Sequence, residues 1–346
     1  MQRRNFITLL GGGVVLAAGS ATGFALTRTP TRALQPWREA GTAYTDPRMR
    51  ALSYAILAPN PHNRQPWQVD LSKPDKIILR VDLTRLLPET DPFSRQITIG
   101  LGCFLELLRM AAADDGYLCI TVPFPEGADA SRLDDRIVAE VTFFKDATAK
   151  SDQLFRHVLN RRSLKIPFDT SRELKQETLA GIVAVADTPQ MRVGSIHKAA
   201  EIFEWRKLTR NALEIELTTR RTYKESVDLF RIGKAEIEAN PDGISFSGPL
   251  FDTLGLLGKF TREGALDSMS SVYRQGIAAV MRNVDTAMGY LWIVTPGNTR
   301  IDQINTGRDW LRLNLASTAV SVGFHPLSQL LQEYREMADL YREAHQ

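Results

Sequence analysis

Two long apolar stretches, 97–114 and 307–322, set the terms for any fold this chain adopts. Both carry alanine and leucine at helical spacing, so each reads as a helix that the rest of the protein has to cover. They are also alike. Gly100 and Gly307 stand near the head of each, and a glycine followed by an aromatic residue closes each one sixteen positions on: Gly116-Tyr117 in the first, Gly323-Phe324 in the second. A second echo links 52–66 with 179–193. Related halves packed face to face would bury both helices between them. The expectation is an α+β fold, with mixed sheets around long central helices. Its two degenerate halves would be related by a pseudo-twofold axis, forming a pseudo-dimer.

The remaining segments supply strands and shorter helices. Asp46 reads as an N-cap with Pro47 in the first helical position, opening a helix to about residue 58. Residues 59–66, PNPHNRQP, hold too much proline for regular structure. Segments 67–71, 76–81, 117–122 and 136–144 read as strands. Farther on, 153–160 and 171–186 read as helices and 191–196 as a strand. Residues 198–231 read as one long amphipathic helix with Ile202, Trp205, Leu208, Leu213 and Leu217 on or near one stripe. Residues 240–271 mix Gly, Pro and Phe irregularly and suggest a lid or flap. Segment 278–294 reads as helix passing into strand, and 327–344 as an amphipathic terminal helix. The halves are placed at 46–150 and 151–346, the second carrying a helical or lid insertion at about 198–290.

Composition excludes several functions. The chain has 346 residues, 43% of them hydrophobic, and a net charge of +3. That charge is small and evenly mixed, and no arginine-rich arm is interleaved with aromatics, so nucleic acid is not an expected partner. Cys103 and Cys119 lie in apolar runs and read as small buried hydrophobes. A disulfide between them is open on sequence alone, but two cysteines cannot build a structural zinc site. None of the histidines (62, 157, 197, 325, 345) has metal-ligand spacing to another, so no metal is expected. His62 and His325 read as a polar loop histidine and a turn histidine, the alternative being a place beside a bound ligand. There is no G-x-S-x-G, P-loop or G-x-G-x-x-G.

The first residues are informative. Arg3-Arg4-Asn5-Phe6 precedes a glycine-broken apolar run to about Ala25, and together they resemble a twin-arginine export signal. Residues 1–25 are therefore expected to engage the twin-arginine translocase, with 26–45 as a linker. The expected location is periplasmic, with membrane anchoring if the signal stays uncleaved. That export route carries folded chains, which suits a protein that takes up a cofactor first.

Two short stretches carry the chemistry. In Arg161-Arg162-Ser163-Leu164-Lys165, the residues Arg161, Ser163 and Lys165 alternate, so in an extended loop they project to one side. Two cations and a hydroxyl on one side suit a phosphate. In Pro59-Asn60-Pro61-His62-Asn63-Arg64-Gln65-Pro66-Trp67, the amides of Asn60, Asn63 and Gln65 can hydrogen-bond a flat heteroaromatic ring. A solvated basic turn and a plain helix-to-strand turn are the alternatives.

RRSLK after a helix resembles the opening motif of the flavin nitroreductases, and APNPHNRQPW resembles their second motif. In that family the first holds the FMN phosphate and the second lies against the ribityl chain and isoalloxazine. The two motifs sit in one subunit, and a homodimer builds a flavin site at each interface. Here the first half keeps only the second motif and the second half keeps only the first, with Ala186 to Arg192 where the other would fall. That arrangement is similar to the tandem, Acg-like branch of the nitroreductase superfamily, as is the 88–102 stretch PETDPFSRQITIGLG. The resemblance runs from about Asp46 to the C-terminus and is thin across 200–290.

The resemblance implies one complete FMN site per chain, whatever the oligomeric state. Arg161, Ser163 and Lys165 would grip the phosphate. Pro59, Asn60, Asn63 and Gln65 would line the flavin from the other half. Pro326, Leu327 and Ser328 would sit beside the ring, where the family places a backbone donor near N5. No catalytic side chain is nominated, because orientation and electrostatics are what the protein supplies. The family's closing strand and its basic residue for the phosphate have no counterpart in the stretch to Gln346, which reads as helix. The implied function is an FMN-dependent oxidoreductase whose partners are the flavin and a small-molecule acceptor of nitroaromatic or quinone type. The competing expectation is a non-catalytic FMN-binding or FMN-storage protein in which 240–271 caps the flavin.

Overall fold

The computed structural model describes residues 27–42, 44–186 and 188–345, so the segment read as an export signal, 1–25, lies outside the described residues. The chain packs as two compact units. The larger comprises Pro36–Ser226 and Gln275–Gln346; the smaller comprises the residues up to Gln35 and Val227–Arg274. Both motif stretches and both long helices fall in the larger unit.

In chain order, α1 (Gln35–Glu39) and α2 (Pro47–Ala55) precede β1 (Trp67–Asp70) and β2 (Lys76–Val81). The Asp46 carboxylate caps α2, accepting from Arg48 N–H at 2.8 Å, with Pro47 in the first helical position as expected. The long α3 (Arg95–Asp114) leads to β3 (Tyr117–Pro123) and β4 (Ala139–Lys145). These four strands form one antiparallel sheet in the order β1-β2-β4-β3. Ala139, Val141 and Phe143 of β4 are buried in the period-2 pattern of a strand with one core face, whereas β2 buries Ile77, Ile78, Leu79 and Val81.

The second half departs more from its sequence reading. Residues 155–160 form a 3-10 turn rather than an α-helix, and only α4 (Gln176–Val183) forms within 171–186. After β5 (Arg192–Ile196), the single helix expected over 198–231 breaks into α5 (Ala199–Thr218) and α6 (Arg220–Asp228), followed by β6 (Phe230–Ile232). The break falls at Thr219, where ψ is 108°. Thr222 there turns its hydroxyl onto the carbonyls of Glu216 (2.7 Å) and Thr219 (2.9 Å), a local competition that threonine brings to helices. The segment expected to be irregular contains β7 (Ile244–Phe246), α8 (Pro249–Leu256) and α9 (Arg262–Leu266), preceded by α7 (Gly233–Ala239). In the smaller unit β6 and β7 pair in parallel, and Phe230, Phe246, Phe251 and Phe260 stack into one aromatic cluster.

Helix α10 (Ser271–Asp285) then passes into β8 (Tyr290–Val294), which pairs antiparallel with β5. The second long helix, α11 (Arg300–Ala319), starts earlier than its apolar pattern suggests. A capping box sets its start: Thr299 accepts from Asp302 N–H, and the Asp302 side chain accepts from Thr299 N–H. The expected terminal helix over 327–344 is replaced by two 3-10 turns, Gln329–Leu331 and Arg335–Met337, before the short α12 (Ala338–Ala344). Burial explains this. Leu330, Tyr334 and Met337 pack against Ala212 of α5, and Gln332 Nε2 donates to Glu216 Oε2 at 2.7 Å.

Helices α3 and α11 cross at contact distance of their backbones. A Cβ on Gly102 would overlap the Ile304 carbonyl, and one on Gly307 would overlap the Ile99 carbonyl. Cys103 Sγ–H donates to Gly307 O at 3.1 Å across the same crossing. Neither cysteine is in a disulfide, and burial pushes both thiols up to about 12. Beside the crossing, the buried Glu106 of α3 joins Arg109 with Arg308 and Arg312 of α11, at 2.6, 3.3 and 3.2 Å.

Gly102→Ala and Gly307→Ala are each expected to cost about 3 kcal/mol or more, as over-packed core substitutions do. Gly276→Ala, inside α10 with open space around it, should instead stabilise by roughly 0.5–1 kcal/mol. Thermal unfolding of the three variants checks this; equal effects would contradict the close crossing. A pH dependence follows from Glu216, whose carboxyl is pushed up to about 7 by burial. The folded state then holds this proton more tightly than the unfolded chain. Stability from this group is full at acid pH and falls as pH rises from about 4.5 to about 7. Denaturant titrations across that window should show the decline in wild type and not in Glu216→Gln.

Candidate functional site

The proline-rich loop between α2 and β1 is locked by its own side chains. Asn60 Oδ1 accepts from Gln65 N–H at 2.7 Å, and Asn60 Nδ2 donates to Ala58 O at 3.0 Å. Gln65 Nε2 donates to Asn63 Oδ1 at 3.3 Å. His62, Asn63 and Gln65 all hold left-handed backbone, with φ of 47°, 51° and 49°. Each such residue costs on the order of 1–2 kcal/mol, so the surroundings must impose the shape. Gly100 of α3 is part of that surround, because a Cβ there would stand 3.0 Å from Asn60 Cβ and 3.3 Å from Pro61 Cδ. Outside the loop, Arg64 Nε donates to Arg85 O at 3.2 Å and Arg85 Nη1 donates back to Arg64 O at 2.9 Å. Pro59 is half-buried at the loop's start.

The second motif runs from the 3-10 turn 155–160 as non-repetitive chain. It reaches the first motif through Arg161, which is 4% exposed and donates from Nη2 to Leu57 O at 2.9 Å. Its Nε and Nη1 are buried with no hydrogen-bond partner, and burial lowers its pKa to about 10. Ser163 is half-buried. Leu164 N–H donates to Phe324 O at 2.8 Å, which ties this motif to the glycine–aromatic pair after α11 and so to Pro326, Leu327 and Ser328. Pro326 is exposed, while Leu327 packs with Trp205 and Phe168 on the cluster of Ile202, Ala287 and Tyr290.

Lys165 completes the convergence. Its ammonium acts electrostatically on His62 in the first motif and on His325 beside Phe324, and helps hold both imidazoles down at about 4, where burial has the larger effect. Lys165 keeps solvent access yet is densely surrounded, and that burial lowers its own pKa. The structure therefore brings together the 59–65 loop, the 161–165 run and the 323–328 turn. Among the described residues neither Arg161 nor Lys165 is paired with a carboxylate.

Sequence reading missed three features here. Trp37 of α1 stacks on Arg162, 3.9 Å from its guanidinium to the ring centroid, and lies 5.6 Å from that of Arg161. A lone tryptophan in a polar linker was the available signal. His62 and His325 are enclosed rather than ordinary surface residues, and Ser226 of α6 holds His62, Oγ to Nε2 at 3.3 Å. A cavity of about 410 Å³ lies in the smaller unit, lined by Ile232, Asp252, Leu256 and Phe260 among others, and contains none of the motif residues. Among the described residues no three His, Cys, Asp or Glu side chains are placed to hold a metal ion.

Comparison with known proteins agrees with the direction of this reading over part of the chain. No family model matches. The chain is 29% identical over 125 residues to a Mycobacterium tuberculosis protein provisionally named NAD(P)H nitroreductase acg, covering 36% of each chain. It is also 29% identical over 123 residues to the uncharacterized protein Rv3127 of the same organism, covering 35% of each. The match thus spans little more than a third of these relatives. At that level the chain is a distant relative of that nitroreductase-named protein, and its mixed helix and sheet content is compatible with an α+β fold.

Arg161 and Glu106 give opposite expectations for the ligand-free protein. Replacing a buried, unpaired cation removes a desolvation cost, so Arg161→Met should change stability by no more than about 1 kcal/mol despite the lost bond to Leu57 O. Glu106→Ala removes the buried carboxylate shared by Arg109, Arg308 and Arg312, leaving Asp152 to Arg109 and Arg312, and should cost about 3 kcal/mol. Chemical denaturation of both variants checks the contrast. A large loss in Arg161→Met would make that residue structural.

Proposed function

We propose that the chain is an FMN-dependent oxidoreductase of nitroreductase type, with one composite flavin site per chain built from a degenerate pair of halves. The observation that carries this reading is Arg161: a buried guanidinium with two unpartnered N–H groups and no carboxylate beside it, in the motif that would grip a phosphate. A buried cation in that state fits a missing anion, and a phosphate accepts several charge-assisted hydrogen bonds at once.

Arg161 and Ser163 would hold the phosphate, with Trp37 shielding the guanidiniums from water. Lys165, at the far end of the run, would serve the ring end of the cofactor together with Pro59, Asn60, Asn63 and Gln65. Asn60 would act largely by fixing the loop, since its oxygen is committed to Gln65 N–H. The turn at Pro326, Leu327 and Ser328 would offer backbone groups beside the ring. Bound FMN supplies the electron-transfer chemistry, and nitroaromatic or quinone-type molecules are the acceptors we assign. Export by the twin-arginine translocase to the periplasm, with 1–25 as signal, belongs to the same proposal.

Protein lacking residues 1–25 should purify yellow and release about one FMN per chain, identified by absorption and mass. Arg161→Ala with Ser163→Ala should lose most of it, on the order of 100-fold in affinity for two charge-assisted contacts. Unchanged flavin content in the double variant would overturn the site. Bound flavin that resists dithionite would favour a storage protein with a capped ring over an enzyme.

A further inference from the structure

We propose that His62 selects the electron acceptor, its Nδ1 hydrogen-bonding an anionic oxygen, such as a carboxylate, on an aromatic acceptor beside the Lys165 ammonium. The inference rests on the flavin reading above and adds a substrate class to it.

Four observations converge on the ring. Its backbone is fixed in the left-handed region, between prolines 61 and 66 and against Gly100 of α3, so the ring's position is imposed. One end is held, Nε2 standing 3.3 Å from Ser226 Oγ, and Ser226 is itself 7% exposed. The other end is not: Nδ1 is buried without a hydrogen-bond partner. The charged groups that act on the ring, Lys165 and Arg64, are both cationic, and burial adds to them, so the imidazole is neutral at ordinary pH.

A neutral imidazole carries one donor, and the rotatable Ser226 hydroxyl can serve either tautomer. When an anion faces Nδ1, the proton sits on Nδ1 and the hydroxyl donates to Nε2. His325, in the turn after α11, is kept neutral by burial and, to a lesser extent, by the Lys165 charge. One ammonium therefore acts on two neutral rings. Arg161 serves the phosphate at the other end of the run. A carboxylate pairs Nδ1 and is drawn by the Lys165 ammonium that acts on the same ring, whereas a neutral acceptor gains no such attraction.

The test uses FMN-loaded protein without any electron donor, titrated with 4-nitrobenzoate and with 4-nitrobenzyl alcohol and followed by the change in flavin absorbance. Wild type should bind the carboxylate at least tenfold more tightly than the alcohol. His62→Asn keeps a polar group where Nδ1 stands and should retain most of that preference. His62→Gln keeps only the end that reaches Ser226 and should lose it, with FMN content and melting temperature close to wild type. Equal binding of the two probes by wild type, or full preference in His62→Gln, would overturn the assignment while leaving the flavin reading intact. A protein that takes up no FMN would overturn both.

Discussion

The contact on which the rest of this structure depends is the crossing of α3 and α11 at Gly102 and Gly307. No side chain separates the two backbones there, and Cys103 hydrogen-bonds across the gap. So close an approach fixes the relative position of everything the helices carry. Asn60 and Pro61 lean on α3 at Gly100, and the turn that receives Leu164 follows α11. Two motifs separated by about a hundred residues meet because their supports cross without slack. The ion cluster of Glu106 with Arg109, Arg308 and Arg312 holds the same pair of helices and shows what a compensated buried charge looks like in this protein.

Arg161 and Lys165 are the contrast. Arg161 loses water, Lys165 keeps solvent access, and among the described residues neither gains a carboxylate. The loop facing them holds three non-glycine residues in left-handed backbone. Strained backbone and uncompensated charge both raise the free energy of the ligand-free protein, and a bound anion offsets them together. That coupling gives the candidate site a physical reason to exist apart from any likeness to known proteins.

Much of the first half was legible in the sequence because its signals are local. Asp46-Pro47 caps α2, a short apolar run marks β2, period-2 alternation marks β4, and the apolar run of α3 shows its own helix. The start of α11 was hidden because its capping box, Thr299 with Asp302, precedes the apolar pattern. Helix α5 ends at a threonine pair that a stripe of Ile202, Leu213 and Leu217 runs straight past. At the C-terminal end, burial of Leu330, Tyr334 and Met337 overrides an amphipathic helical pattern. The site residues were visible as motifs, but their partners were not. Leu57 lies 104 positions from Arg161 and Ser226 lies 164 from His62, and nothing local announces either contact.

The central claim is that Arg161, a buried cation with no carboxylate partner among the described residues, is built to receive a phosphate. The most direct measurement is an equilibrium titration of the flavin-free protein with FMN and, separately, with riboflavin, which has the same ring and ribityl chain without the phosphate. FMN should bind roughly 100-fold more tightly, the value of two or three charge-assisted hydrogen bonds, and the gap should shrink as salt is raised. Equal affinities for the two, or no binding of either, would contradict the account.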